Sequence, residues 1–191
     1  MSIEAIRDSG LASLASGLRR ILYDPFKDAN NLKRGDEGRF LPTAEGLQFT
    51  PKIISSKLES NHAVLKRKLG NRYVAKVKVE GKFSAAKAAN VGFILKKQNE
   101  DNKLAINMQS NGQVRLIKFE DGKKSILQSV KLTDPPTDEF EMAVKVDNRK
   151  ISFMVDGKEV FETSDNSFSG GEFGFGSFRG TNRFRDLEIF R

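Results

Sequence analysis

The run at residues 150–180, KISFMVDGKEVFETSDNSFSGGEFGFGSFRG, decides the fold. Ile151, Phe153 and Val155 fall on every second position, the period of a strand with one buried face. Asp156-Gly157 then supplies the positive φ that a two-residue hairpin turn needs, and KEVFET returns. After a polar loop, GEFGFGSF alternates Phe173 and Phe175 with Gly174 and Gly176. That order puts large rings on one face of a strand and bare backbone on the other. Bare backbone serves a bulge, or the close approach of another chain or a ligand.

Working outward, the same two-residue period runs from residue 72 to the end. Tyr73, Ala75, Val77 and Val79 share a face, with Lys76 and Lys78 opposite. Val91, Phe93 and Leu95 form the next set, then Leu104, Ile106 and Met108, then Phe140, Met142, Val144 and Val146. Short turns at Asn111-Gly112, Asp121-Gly122 and Asp147-Asn148 join them. Consecutive hairpins of half-apolar strands predict two antiparallel sheets packed face to face, an all-β sandwich of jelly-roll size. EGLQFTP reads as a short strand with Leu47 and Phe49 on one side. Residues 52–71 read either as a strand with a basic loop or as a short helix. The first residues differ: Ile3, Ile6, Leu11, Leu14, Leu18, Ile21 and Leu22 form an apolar stripe at near-helical spacing. The expected organisation is therefore an amphipathic helix within residues 1–23, followed by a sandwich over 24–191. The helix either packs on its own domain or mediates docking and homo-oligomerisation through residues 2–22.

The strand with Val155, Asp156 and Gly157, the run Gly171, Phe173, Gly174, Phe175, Gly176, and the closing Phe184, Asp186, Leu187, Ile189 resemble the C-terminal half of concanavalin A-like lectin/glucanase domains, including the laminin-G, pentraxin and bacterial glucanase branches. The upstream DPFKDANNL…GRFLPTAEGLQFTP resembles the entry strand of that superfamily. The resemblance covers about residues 24–191, and it implies that the entry strand lies beside the last one. It also implies a range of roles, from lectins and adhesion modules to hydrolases and inert scaffolds.

Charge and composition narrow those roles. The net charge is +8, and residues 1–50, 51–100, 101–150 and 151–191 carry 0, +9, +1 and −2, so the excess sits in one stretch. A localised basic stretch favours anionic partners. There is no Cys and one His, which excludes thiolate and multi-histidine metal sites. His62 is expected to be structural. With no Trp and two Tyr, the aromatic platforms that neutral sugars prefer are scarce. The glucanases of the superfamily carry carboxylates at E-x-D-x-x-E or E-x-D-x-E spacing on one strand. Glu139 and Glu141 share a face here without a third acid in register, so no catalytic residue is assigned. The resemblance leaves room for calcium at Asp134, Asp138 and Glu139, or at Asp28, Asn30 and Asn31, although neither set has a fixed ligand spacing. No other cofactor is expected.

Outward positions of the strands supply the candidate ligand-binding set: Lys76, Lys78, Asn107, Gln109, Arg115, Lys145, Arg183 and Arg185. If they share one sheet face, they form a groove for an acidic glycan. The expected function is a non-catalytic carbohydrate-binding or adhesion module. The alternatives are a structural component of a virion or surface assembly, with another protein as partner, and a glycan-active hydrolase. Nucleic acid is disfavoured, for want of a helix–turn–helix or an exposed stacking set. No run has the length of a membrane span, and the first residues lack a signal-peptide layout. The expected location is cytoplasmic as synthesised, or within such an assembly.

Overall fold

The structure is a computed structural model that describes residues 17–23, 26, 31–34, 40–50, 62–81, 89–178 and 181–191. Among them are fifteen strands: β1 (Arg20–Tyr23), β2 (Leu32–Arg34), β3 (Phe40–Thr43), β4 (Gly46–Phe49), β5 (His62–Leu69), β6 (Arg72–Gly81), β7 (Asn90–Lys97), β8 (Lys103–Gln109), β9 (Gln113–Glu120), β10 (Lys123–Lys131), β11 (Glu139–Asp147), β12 (Lys150–Val155), β13 (Lys158–Ser164), β14 (Gly171–Phe178) and β15 (Asn182–Phe190). An eight-stranded sheet runs β13-β12-β11-β6-β15-β4-β3, with β1 also on β15, and a seven-stranded sheet runs β10-β9-β8-β7-β14-β5-β2. Every pairing is antiparallel, as the hairpin pattern requires. The protein is an antiparallel β-sandwich.

The hairpin turns follow their sequences. Asp121 and Gly122 have φ of 49° and 73°, and Asp156 and Gly157 of 49° and 74°, the two successive left-handed residues of a type I′ turn. Asn148 opens the β11–β12 turn at φ 58°. The closing strand β15 is paired by β6 along one edge, and along the other by β4 near Phe184 and β1 near Ile189. The entry segment thus lies beside the last strand. Phe184 and Leu187 are three apart, which is the wrong parity for one face. A bulge with Asp186 at φ 53° restores it, and Phe184, Leu187 and Ile189 are all fully buried.

The core is aromatic. Phe153, Phe173 and Phe175 have no exposed surface. Phe175 lies 5.4 Å from Phe26, 5.1 Å from Phe184 and 6.0 Å from Phe93, ring centre to ring centre. Phe173 meets Tyr73 edge-on at 5.8 Å. Such offset and edge-on pairs add to the large apolar area each ring buries. Lys96 ties the layers together at one end, where its Nζ donates to the Asn148 carbonyl at 2.9 Å across the sandwich.

Two expectations change. The helix expected to reach residue 22 does not: Arg20–Tyr23 is strand β1, held by the free edge of β15. An edge with unpaired amide groups outweighs a weak local helical preference. The remainder of that call, residues 1–16, lies outside the described residues, as does the oligomerisation role attached to it. The ambiguous stretch resolves in part, because His62–Leu69 is strand β5; residues 51–61 lie outside the described set.

Candidate ligand-binding face

Parity within the strands separates two outward faces. On the seven-stranded sheet, inward Leu104, Ile106 and Met108 leave Lys103, Ala105, Asn107 and Gln109 pointing away from the core on β8. Inward Val114 and Leu116 leave Arg115 and Ile117 outward on β9. The cross-strand register then lines up one row: Arg115 opposite Asn107, Asn107 opposite Gly92, Gly92 opposite Gly176, and Gly176 opposite His62. Two adjacent glycines thus interrupt the row of polar side chains. Asn107 Oδ1 and Arg115 Nε are buried without a hydrogen-bond partner among the described residues. Buried polar atoms without partners are costly, and Arg183 Nε and Arg185 Nε on the eight-stranded sheet are in the same position.

The glycines also have a structural reason. A Cβ on Gly174 would run into the Ala63 carbonyl and come within 2.7 Å of Val64 Cα on β5, beside a bulge between Glu172 and Gly174. A Cβ on Gly92 would run into the Ile106 carbonyl of β8. Close strand approach therefore demands glycine at 92 and 174.

Beside the row lies a chain of charges on the same face. Lys33 Nζ sits 2.6 Å from Glu172 Oε1, and Lys97 Nζ sits 3.8 Å from Glu172 Oε2 and 2.7 Å from Glu100 Oε1. Glu100 Oε1 lies 3.4 Å from His62 Nε2, and its Oε2 lies 3.1 Å from Lys103 Nζ, whose ammonium also caps the Phe119 ring at 5.2 Å. Burial alone raises the Glu100 carboxyl, but the hydrogen bond from Lys97, the charge of His62 and the hydrogen bond from Lys103 together bring it down to about 2. Sequence reasoning missed Lys97, Glu100, Lys103 and Glu172. Lys103 was legible from its parity with Asn107, and Lys97, Glu100 and Lys103 follow one another at three-residue spacing; Glu172 joins them only through tertiary contacts.

The eight sequence-derived candidates do not form one groove. Asn107, Gln109 and Arg115 lie on the seven-stranded sheet. Lys76, Lys78, Lys145, Arg183 and Arg185 lie on the opposite outward face, on β6, β11 and β15 of the eight-stranded sheet. There the cations interleave with acids. Lys76 meets Glu188 at 3.1 Å and Glu141 at 3.7 Å, and Lys78 meets Asp186 at 3.2 Å. Arg183 meets Glu45 at 2.6 Å. Arg185 spans Glu80 at 2.6 Å and Glu139 at 2.9 Å. Lys145 acts on Glu162 by its charge. This face is a lattice of matched charge, and the excess positive charge of the chain lies elsewhere. Glu139 and Glu141, the only carboxylate pair considered for catalysis, are engaged in that lattice. Among the described residues no three carboxylate or imidazole groups converge to hold a metal ion, and no helix is long and apolar enough to cross a membrane.

No family model matches the chain, and no curated protein sequence matches it. Solved structures do resemble it. A carbohydrate-binding module, CBM66, from Bacillus subtilis superposes with a TM-score of 0.68 at 16% identity, covering 84% of this chain and 96% of that one. A prokaryotic β-1,3-1,4-glucanase (lichenase) from a mouse hindgut metagenome gives 0.66 at 13%, covering 88% and 97%. Sheep galectin-11 gives 0.53 at 14%, covering 70% and 99%. Identities this low establish architecture alone. With the sheet order and the Asp-Gly and Gly-Phe strands, they establish that the chain has the concanavalin A-like sandwich fold.

Proposed function

We propose that this protein is a non-catalytic carbohydrate-binding domain that presents the outward face of its seven-stranded sheet to an acidic glycan. The observation that carries the reading is the row Arg115–Asn107–Gly92–Gly176–His62, in which two glycines stand between polar side chains on one outward sheet face. A sheet face that offers a row of hydrogen-bonding side chains suits a sugar chain. The charge balance supports an acidic one: the cations of the opposite face interleave with acids, whereas among the described residues Lys33, Lys97 and Lys103 pair with only Glu100 and Glu172. The likeness to a carbohydrate-binding module and a galectin agrees with sugar binding. Hydrolysis is disfavoured because a general acid must hold its proton near neutral pH, while Glu100 is pulled down to about 2 and Glu172 is held by two lysines.

Isothermal titration with an oligoglucuronate and its carboxyl-reduced neutral counterpart tests this. Asn107→Ala and Arg115→Ala are each expected to weaken binding about tenfold, the worth of a charged or well-placed hydrogen bond. Lys78→Ala, on the other face, leaves binding unchanged. Undiminished binding in both variants of the row, or loss in Lys78→Ala, overturns the reading.

A further inference from the structure

The charge chain beside the row has an inverted distribution of burial. The side chains of Lys97, Lys103 and His62 are only 9%, 10% and 5% exposed, while that of Glu100, the carboxylate they converge on, is 56% exposed. Ammonium groups taken out of water need a counter-charge in place at all times. Here the nearest counter-charge comes from a side chain that is itself largely in solvent, with the buried Glu172 farther off at 3.8 Å from Lys97.

We propose that Lys97, Lys103 and His62 form an anion subsite for the carboxylate or sulfate of a ligand, and that Glu100 fills this subsite in the free protein. Glu100 belongs to the short β7–β8 connection, where Gln98 N donates to the Asn102 carbonyl at 2.9 Å and Asp101 N to Asn99 Oδ1 at 2.9 Å. Those bonds hold the loop without involving the Glu100 carboxylate. Rotation about its side-chain bonds is enough to withdraw it, with no strand displaced. When it leaves, Glu172 is left shared between Lys33 and Lys97, one carboxylate against the three ammonium groups of Lys33, Lys97 and Lys103, so the vacated position keeps an excess of positive charge. The field that keeps the Glu100 carboxyl ionised is the one an incoming anion meets. His62 also ends the glycine row, so a sugar lying along the row brings its acidic substituent to this point. The glycan as bearer of the anion rests on the function proposed above; the anion subsite does not.

The test uses inorganic sulfate first, with chloride at equal ionic strength as the reference. His62 is the single histidine, so its imidazole resonances report on the subsite alone. Sulfate is expected to shift them in the wild-type chain. Glu100→Gln, which removes the internal competitor, is expected to bind sulfate about tenfold tighter. Adding Lys103→Gln reverses the gain. Circular dichroism confirms that each variant is folded. Equal sulfate affinity in wild type and Glu100→Gln, or a gain that survives Lys103→Gln, overturns the proposal. If Glu100→Gln fails to fold, the wild-type resonances decide, and no sulfate-specific shift overturns it. The glycan arm repeats the titration with oligoglucuronate and its neutral counterpart, and only the acidic form is expected to gain in Glu100→Gln. A sulfate gain without glycan binding keeps the subsite and removes the carbohydrate reading. Glycan binding along the row without a sulfate gain does the reverse.

Discussion

Gly174→Ala tests the packing that the glycine–phenylalanine strand imposes. The added Cβ would meet the Ala63 carbonyl oxygen and lie 2.7 Å from Val64 Cα, where ordinary contact is 3.4–4 Å. Both obstacles are backbone of β5, which cannot swing aside as a side-chain tip does. Strand β5 would have to retreat by roughly 1 Å from a strand whose opposite face buries Phe173 and Phe175, and overpacking of this kind costs about 3 kcal/mol. For a domain of this size that corresponds to about 6–12 °C in Tm. Gly157→Ala is the internal control. Nothing lies within 4 Å of its Cβ, but its φ of 74° disfavours an L side chain, so its cost is about 1 kcal/mol. Urea titration followed by circular dichroism gives both values on one protein. If Gly174→Ala loses no more than Gly157→Ala, the bare backbone does not exist for strand contact, and the account of this strand is wrong.

Three further outcomes follow from the same structure. Tyr73 is completely buried, burial pushes its hydroxyl well above the ordinary range, and that oxygen has no partner among the described residues; Tyr73→Phe is expected to hold or raise stability by about 0.5–1 kcal/mol in urea titration, and a loss above that size contradicts it. Glu100 has its folded value near 2 against an ordinary 4.5, so its ion pairs stabilise the fold above the ordinary value and that contribution is lost as pH falls from 4.5 towards 2; Glu100→Gln should flatten the acid limb of a urea-midpoint profile across that window, and an unchanged slope refutes the linkage. Arg185 bridges Glu80, Glu139 and Asp186; Arg185→Ala is expected to cost about 1 kcal/mol, fading in high salt by equilibrium denaturation, and to leave glycan affinity untouched. A salt-independent loss would mean that the side chain acts through packing.

Local pattern carried the architecture because side-chain direction in a strand is a local property. The parity of Phe153, Phe173 and Phe175 placed them inside without reference to any partner, and each Asp-Gly took the left-handed turn its chemistry allows. The exceptions are sites where a distant chain intervened. The last residues of the apparent N-terminal helix became β1 because the edge of β15 offered hydrogen bonds, and residue spacing has no term for that. Residue spacing offered no partner for Glu139, because Arg185, which binds it, stands 46 residues away.

The amino-acid order by itself determined which apolar side chains of the alternating strands turn inward, where the chain reverses and that two antiparallel layers enclose a phenylalanine-rich interior. Only the tertiary structure decided which sheet each strand joins, and with it that Lys76, Lys78, Lys145, Arg183 and Arg185 look one way while Asn107, Gln109 and Arg115 look the other. The physical reason is that parity separates inside from outside within a strand but is blind to which of two layers that strand belongs to. Strand order, set by hydrogen bonding between segments remote in the chain, determines which outward side chains become neighbours and so where a binding face can form.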